Sequence, residues 1–234
     1  RSFVIFADKD GNVADVVLGF DDPKDYIKSG TYAGSVVGRN ANRVGHAGFS
    51  LNGRHYVLDK NDGGKHNLHS GFEPYKNRIW RVIYHQEDAI CMGLFSPDGD
   101  QGFPGNAKLR VTYTLLPDNT LDIAYDGICD QDTVFNLTNH SYFNLAGHDH
   151  PEKAMAQQLM MPAEFFLPCD KTGIPTGELR DVAGTPMDFR RSKPLGQDID
   201  ADYEPLKLQG GYDHCFAVSD SLCAVLTDPE SGRT

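Results

Sequence analysis

Residues 107–129 read AKLRVTYTLLPDNTLDIAYDGIC. In an extended chain Leu109, Val111, Tyr113 and Leu115 point one way, and Lys108, Arg110, Thr112 and Thr114 the other. Beyond Pro117-Asp118-Asn119-Thr120 the alternation resumes, with Leu121, Ile123 and Tyr125 against Asp122, Ala124 and Asp126. A period of two on both sides of a turn predicts a β-hairpin with one apolar and one wet face.

The same pattern extends outward. Residues 78–84 and 89–96 predict a second hairpin. Phe49-Ser50-Leu51, then Asn52-Gly53, then residues 54–58 predict a third, because Asn-Gly tolerates the positive φ angles of a type I′ turn. At the N-terminal end an apolar run at 3–7, the turn Asp8-Lys9-Asp10-Gly11 and a second run at 13–18 predict another pair of strands. A helix is expected only at 23–29, where Pro23 sits at a helix start. Residues 169–209 are rich in Pro, Gly and Asp; they are too long for a plain loop and read as an ordered excursion or as short elements. No strand alternates with a long amphipathic helix, which argues against a Rossmann fold or a TIM barrel. The expectation is one all-β domain over 1–234, two packed antiparallel sheets with few or no helices.

Composition agrees. Of 234 residues, 26 are Asp and only 7 Glu, with 24 Gly and 13 Pro. Asp, Gly and Pro favour turns, whereas Glu favours helix interiors, so a helix bundle is disfavoured. A net charge of −11 repels nucleic-acid backbones and anionic lipid, and no partner of either kind is expected. No apolar run approaches the roughly 18 residues of a membrane span, and residues 1–12 lack the apolar core of a signal peptide. The five cysteines are odd in number and widely spaced, with no CxxC; they read as buried reduced thiols in a cytoplasmic protein.

Four segments are too dense in polar residues for ordinary strand surface: GRNANRV at 38–44, HNLHSG at 66–71, FNLTNHSYFNL at 135–145 and GYDH at 211–214. Strand alternation in the third would put Asn136, Thr138, His140 and Tyr142 on one face. Such a face offers donors, acceptors and an aromatic plate, the equipment for holding a polyhydroxylated ligand. Each motif alone reads more readily as turn or core than as a site. His66 with His69, and His148 with His150, suggest metal pairs, but neither pair sits on a helix or has Cys or acidic partners at ligand spacing, so no metal is expected. No glycine-rich phosphate loop and no GxSxG occurs.

Taken in order, these segments resemble the aldose 1-epimerase (galactose mutarotase) family. The family's marks are Gly-Arg-x-Ala-Asn-Arg, Leu-His-Gly-Gly, Asn-Leu-Thr-Asn-His-Ser-Tyr-Phe-Asn-Leu and an Asp-His pair; DVVLGFD at 15–21 also resembles its early strand. Ser70 stands where the family usually has Gly. The resemblance runs through essentially the whole chain. It implies a galactose-mutarotase-like β-sandwich and cofactor-free interconversion of the α and β anomers of free hexoses, with a monosaccharide as the partner. By matching position, His140 resembles the general acid and His69 the second active-site histidine. Asn42, Arg43 and Asp213 match positions that hold sugar hydroxyls, and Ser141, Tyr142 and Phe143 continue the substrate-contacting stretch.

In the family the base is a Glu in a strand near the C-terminus, after a Pro-Gly-x-Gln-x-Tyr-type segment. Neither motif occurs here, and Glu230, in an expected turn without either motif, is not assigned the role. Residues 1–234 therefore read as a single β-sandwich domain incomplete at both ends. Two rivals stand beside mutarotation. A hexose-6-phosphate epimerase would need a basic phosphate pocket, for which only Arg39, Arg43 and Arg78 offer themselves. A catalytically inactive sugar-binding module would need no base.

Overall fold

The computed structural model describes residues 5–219 and 221–234; Phe3 and Val4 of the first expected strand lie outside them. The chain divides into two compact units, one made of 24–140, the other of the described part of 1–23 together with 141–234. Strands dominate both. Among the described residues α-helix is confined to α1 (Pro23–Lys28) and α2 (Glu204–Gln209), and neither is long and apolar enough to cross a membrane.

The chain opens on an antiparallel hairpin of β1 (Ile5–Ala7) and β2 (Val13–Asp15). The Asp8 carboxylate closes its turn by accepting from the backbone N–H groups of Asp10 and Asn12. After α1, the 24–140 unit carries β3 (Val36–Val37), β4 (Arg43–Val44), β5 (Gly48–Leu51), β6 (Arg54–Val57) and β7 (Asn67–Leu68). β5 and β6 form the expected hairpin, with Asn52 at φ 51° and Gly53 at φ 76° as a type I′ turn demands.

Then comes a four-stranded meander: β8 (Arg81–His85), β9 (Ala89–Ser96), β10 (Ala107–Leu115) and β11 (Leu121–Cys129). Its register is Leu94 opposite Leu109, Met92 opposite Val111, and Val111 opposite Tyr125. Leu109 and Val111 are buried and Lys108 and Arg110 exposed, the alternation the sequence predicts. The unit closes on β12 (Thr138–Asn139), paired with β3. Ala47, Leu58 and Phe103 form a core here, covered by Val44, Phe49 and Val134.

The other unit adds β13 (Gln158–Met160), β14 (Ala163–Leu167), β15 (Arg180–Asp181), β16 (Lys193–Pro194), α2, β17 (Cys215–Val218) and β18 (Val225–Thr227). Two three-stranded sheets result, β16-β13-β18 and β15-β14-β17. Phe166, Val182, Met187 and Leu206 make its main core, ringed by Tyr203, Tyr212 and Phe216. Burying a side chain such as Phe166 is worth about 1.5–3 kcal/mol. The 169–209 excursion is thus ordered: it holds β15, β16 and α2. Pro205 in the first turn and Gly210 at φ 70° after the last are ordinary helix boundaries.

Two expectations are corrected. The 135–145 segment is not one continuous strand; it pairs in fragments, at Asn136, at 138–139 and at Phe143, each with a different stretch of chain. The thiols are not all buried: Cys91 is, but Cys215 and Cys223 are exposed.

Candidate functional site

In the 24–140 unit, residues 34–44 act as a spine with a partner on each side. One partner is 136–140. Gly34 N–H donates to the His140 carbonyl (3.1 Å), His140 N–H to Ser35 (2.9 Å), and Ala41 N–H to Asn136 (2.7 Å). The other partner is 67–70, through the β4–β7 pair and through side chains standing in for backbone. The Ser70 hydroxyl accepts from Asn40 N–H (2.7 Å) and donates to the Asn40 carbonyl (2.8 Å). His69 N–H donates to the Asn42 carbonyl (3.0 Å), and Asn42 N–H donates back to His69 Nδ1 (3.1 Å). One segment therefore anchors both histidines.

The backbone there is unusual. Asn42 (φ 60°), His69 (51°) and Ser70 (75°) all lie in the left-handed region. A non-glycine residue costs roughly 1–2 kcal/mol in that region. At Ser70, where the family resemblance has Gly, two hydrogen bonds of about 0.5–1.5 kcal/mol each offset that cost. Gly71 is at φ 126°, and a Cβ there would run into Asp59, whose carboxylate accepts from Phe72 N–H (3.0 Å). The NLHSG stretch thus needs a glycine at 71 and tolerates a serine at 70.

The two imidazoles meet edge to face, ring centroids 5.2 Å apart. Tyr32 touches both, at 4.5 Å from His69 and 5.9 Å from His140. Because His69 Nδ1 accepts a hydrogen bond, the neutral ring carries its proton on Nε2. His69 is thereby set as a donor toward whatever lies at Nε2. Arg43 donates through Nε to Asp62 (2.9 Å), which fixes the plane of its guanidinium.

The remaining candidates are elsewhere. Asn144 N–H donates to Val16 and Leu18 N–H to Tyr142, so 142–144 is zipped to 16–18. Tyr142 (44% exposed) and Phe143 (53%) present their rings to solvent. In Tyr212-Asp213-His214 the rings turn inward and the carboxylate outward. Tyr212 donates to the Pro186 carbonyl (3.2 Å) and meets Phe189 edge-on; burial, with the charge of Asp198, pushes its phenol up to about 12. His214 meets Phe166 edge-on at 5.6 Å, and neither of its ring nitrogens has a hydrogen-bond partner. Desolvation there lowers its pKa, partly opposed by the Asp213 charge. Asp213 is exposed, and its charge adds to burial in pushing the Tyr142 phenol up. His69, His140, Asn42 and Arg43 are thus brought together in one unit, and Ser141, Tyr142, Phe143 and Asp213 lie in the other.

The three arginines of the phosphate reading are engaged. Arg39 is fully buried and donates to the carbonyls of Ser96, Pro97, Pro104 and Gly105 and to the hydroxyls of Ser96 and Thr133. Arg78 forms a bidentate pair with Asp100 (2.6 and 2.8 Å). Burial pushes Asp100 up, but hydrogen bonds from Arg78 and Ser96 and the nearby arginine charges leave it below its usual value. Arg43 is held by Asp62. The metal reading weakens on similar grounds. His66 Nδ1 accepts from His46 N–H (3.0 Å), which puts the proton of the neutral ring on Nε2, as in His69. Among the described residues no three His, Cys, Asp or Glu gather as a metal would need.

Sequence reasoning missed Tyr32, Asp62 and the buried role of Arg39. Tyr32 carried a signal: an aromatic two residues before Gly34, which leads into the 35–44 run.

A family model described as aldose 1-epimerase matches residues 4–234. An aldose 1-epimerase from Haemophilus influenzae is 45% identical over 203 residues, covering 85% of this chain and 58% of that protein. A galactose mutarotase from Sus scrofa is 39% identical over 232 residues, covering 97% and 65%. The chain thus spans about three fifths of the length of these curated relatives. The crystal structure of galactose 1-epimerase from Lactobacillus acidophilus superposes with a TM-score of 0.83 at 32% identity, over 96% of this chain and 67% of that one. That of an aldose epimerase homologue from C. elegans does so with 0.84 at 32% identity, over 97% and 69%. The all-β architecture is of the galactose-mutarotase type, and with a family match that runs through both units, the chain belongs to the aldose 1-epimerase family.

Proposed function

We propose that this protein is a mutarotase, interconverting the α and β anomers of free hexoses such as galactose and glucose without a cofactor. The observation that carries the reading is the histidine pair. Two imidazoles 5.2 Å apart are anchored on one backbone segment, and one of them is fixed as a donor by Asn42 N–H.

Anomer exchange needs a base to take the C1 hydroxyl proton and an acid to protonate the ring oxygen as the C1–O5 bond breaks. The open-chain aldehyde turns about C1–C2 and recloses from its other face, the two groups reversing roles. Imidazole suits such work, since its ordinary pKa of about 6.5 lies near the operating pH. His140 is the acid in this scheme, and His69 donates from Nε2 to the ring-oxygen region. Asn42, Arg43 and Asp213 hold hydroxyls. Ser141, Tyr142 and Phe143 line the sugar, whose apolar face suits an aromatic plate. No residue of 1–234 is assigned the base, and Glu230 is engaged with Lys153 (2.8 Å). A cytoplasmic location fits the odd cysteine count and the absence of CxxC.

Polarimetry tests the reading. The full-length enzyme should speed equilibration of fresh α-galactose or α-glucose, and His140→Asn in it should cut that rate by roughly 10²–10⁴-fold, the worth of a positioned acid. Near-normal rates in His140→Asn would remove it from the scheme. Sugar binding without turnover in the unaltered protein would favour the inactive binding module.

A further inference from the structure

We propose that Tyr32 is the positioning residue that holds His69 and His140 at their working separation. The inference rests on the mutarotation reading for its catalytic consequence, but not for its geometry.

The Tyr32 ring meets both imidazoles, with centroid separations of 4.5 and 5.9 Å. Its backbone belongs to the same spine: the Tyr32 carbonyl accepts from Ser35 N–H (2.9 Å), and Gly34 and Ser35 exchange hydrogen bonds with His140. The ring is itself braced. Lys76 Nζ lies 5.4 Å from its centroid and donates to the Tyr26 (3.3 Å) and Ser29 (2.9 Å) carbonyls, at the end of α1 and just beyond it. Desolvation lowers the Lys76 ammonium and raises the Tyr32 phenol, as expected of a packed contact that sheds water. The order of support thus runs from the α1 terminus through Lys76 to Tyr32 and from Tyr32 to both histidines.

The physical consequence is specific. His69 has a bond from Asn42 to its ring, but the spacing between the two imidazoles also depends on the plate they share. Replacing that plate by a smaller, non-planar side chain leaves space into which either ring can turn. A misplacement of about 1 Å in reacting groups costs on the order of 10²-fold in rate. The phenol hydroxyl has no part in this argument; the flat ring does.

Three variants decide it. Tyr32→Leu should lower kcat for mutarotation about 10- to 100-fold with KM changed less than about threefold, and should abolish the nuclear Overhauser contact between the His69 and His140 ring protons. Tyr32→Phe should keep kcat within about threefold of the unaltered protein and keep that contact. Tyr32→Met, unbranched and better able to fill the gap, replaces Tyr32→Leu if the latter fails to fold. Tyr32→Leu with unaltered kcat and an intact contact would overturn the proposal. So would Tyr32→Phe as damaged as Tyr32→Leu, which would make the phenol a reacting group. An unaltered protein without mutarotase activity, but with a ring contact that Tyr32→Leu removes, would refute the functional reading and leave Tyr32 as the positioner. Turnover that falls in Tyr32→Leu while the ring contact persists would refute the positioning role alone.

Discussion

The β8–β11 meander and the 34–44 spine belong to the same unit and are built in opposite ways. In the meander each strand pairs with its neighbour in sequence, and β10 and β11 stay in register over nine residues. In the spine the partners are distant, 30 residues apart for Asn40 and Ser70 and 95 for Ala41 and Asn136. Its ladders are two residues long, and a serine hydroxyl and an imidazole take places a backbone group would hold in a sheet. The meander gives a rigid, repetitive support. The spine gives irregular backbone that can aim several polar side chains at one point. Loops positioned by a rigid scaffold are where chemistry concentrates.

Two arginines sharpen that contrast most strongly. Arg39 in the spine is fully buried, with acceptors at Ser96, Pro97, Pro104, Gly105 and Thr133. Arg110 in the meander lies on the wet face. Arg39→Met would strand those acceptors and leave Asp100 without one of its cationic neighbours, at a cost of about 3–5 kcal/mol. Arg110→Met should change stability by no more than about 0.5 kcal/mol. Urea unfolding midpoints measure both, and equal effects would abolish the distinction.

The difference also explains what could be read from sequence. The hairpins were legible because their signals are local: alternation at 107–115 and 121–125, Asn52-Gly53 at positive φ, Pro23 opening α1. The helix α2 carried Pro205 and Gly210 as boundary signals, but six residues give no periodicity to join them. In 135–145 alternation misled, because that pattern reports extended chain and not pairing. Asn136, Thr138 and Phe143 each find a different partner, and nothing local says so. For the site, His69, His140, Asn42 and Arg43 were singled out as residue types in motifs, and the structure gathers them in one unit. Their arrangement was not legible: Asn42 N–H on His69 Nδ1, Asp62 on Arg43 and Tyr32 against both rings are all contacts across long separations. Arg39 illustrates the limit most clearly. In sequence a guanidinium beside other polar groups reads as a ligand for anions, and only burial among carbonyl oxygens shows it to be a structural hub.

The next largest effects concern the sugar. If Arg43 and Asp213 hold hydroxyls, Arg43→Ala and Asp213→Ala should each remove charge-assisted hydrogen bonds worth about 1.5–3 kcal/mol, which is roughly 10- to 150-fold in Kd. The two residues differ in preparation. Arg43 is already oriented by Asp62, whereas Asp213 projects into solvent between two half-buried rings. Calorimetric titration with galactose and glucose is the measurement. Unchanged affinity in both variants would move the sugar away from these residues.

A smaller effect separates the units by pH. His214 is desolvated, so its pKa is lowered in the folded protein, and the Asp213 charge offsets this only in part. The unfolded chain titrates near the ordinary 6.5 and binds more protons just below that pH. The contribution is therefore fully favourable above about pH 6.5, and stability falls as pH drops through that value toward the lowered one. His214→Gln should flatten this part of the stability-versus-pH curve, measured by urea midpoints from pH 7.5 to 5. An unaltered slope in that variant would show that His214 is not the group responsible.

The smallest effect expected is none. Exhaustive chelation should leave mutarotation by the full-length enzyme unchanged, for a reason that lies in the imidazoles. A histidine binds a metal through a nitrogen lone pair. In His69 and in His66, Nδ1 already accepts a backbone N–H, from Asn42 at 3.1 Å and from His46 at 3.0 Å. In the neutral ring the other nitrogen then carries the proton and has no lone pair to offer. Either ring could ligate a metal only by giving up its bond and changing tautomer, and the backbone of Asn42 or His46 would lose its acceptor. For His66 that would forfeit the hydrogen bond from His46 N–H, at a cost of about 0.5–1.5 kcal/mol. Activity should therefore be the same before and after treatment with a strong chelator, and addition of zinc or manganese should restore nothing, because nothing was lost. Activity that disappears on chelation and returns with one divalent ion would mean that these rings adopt the other tautomer in the working protein. The donor role assigned to His69 would then have to be given up with it.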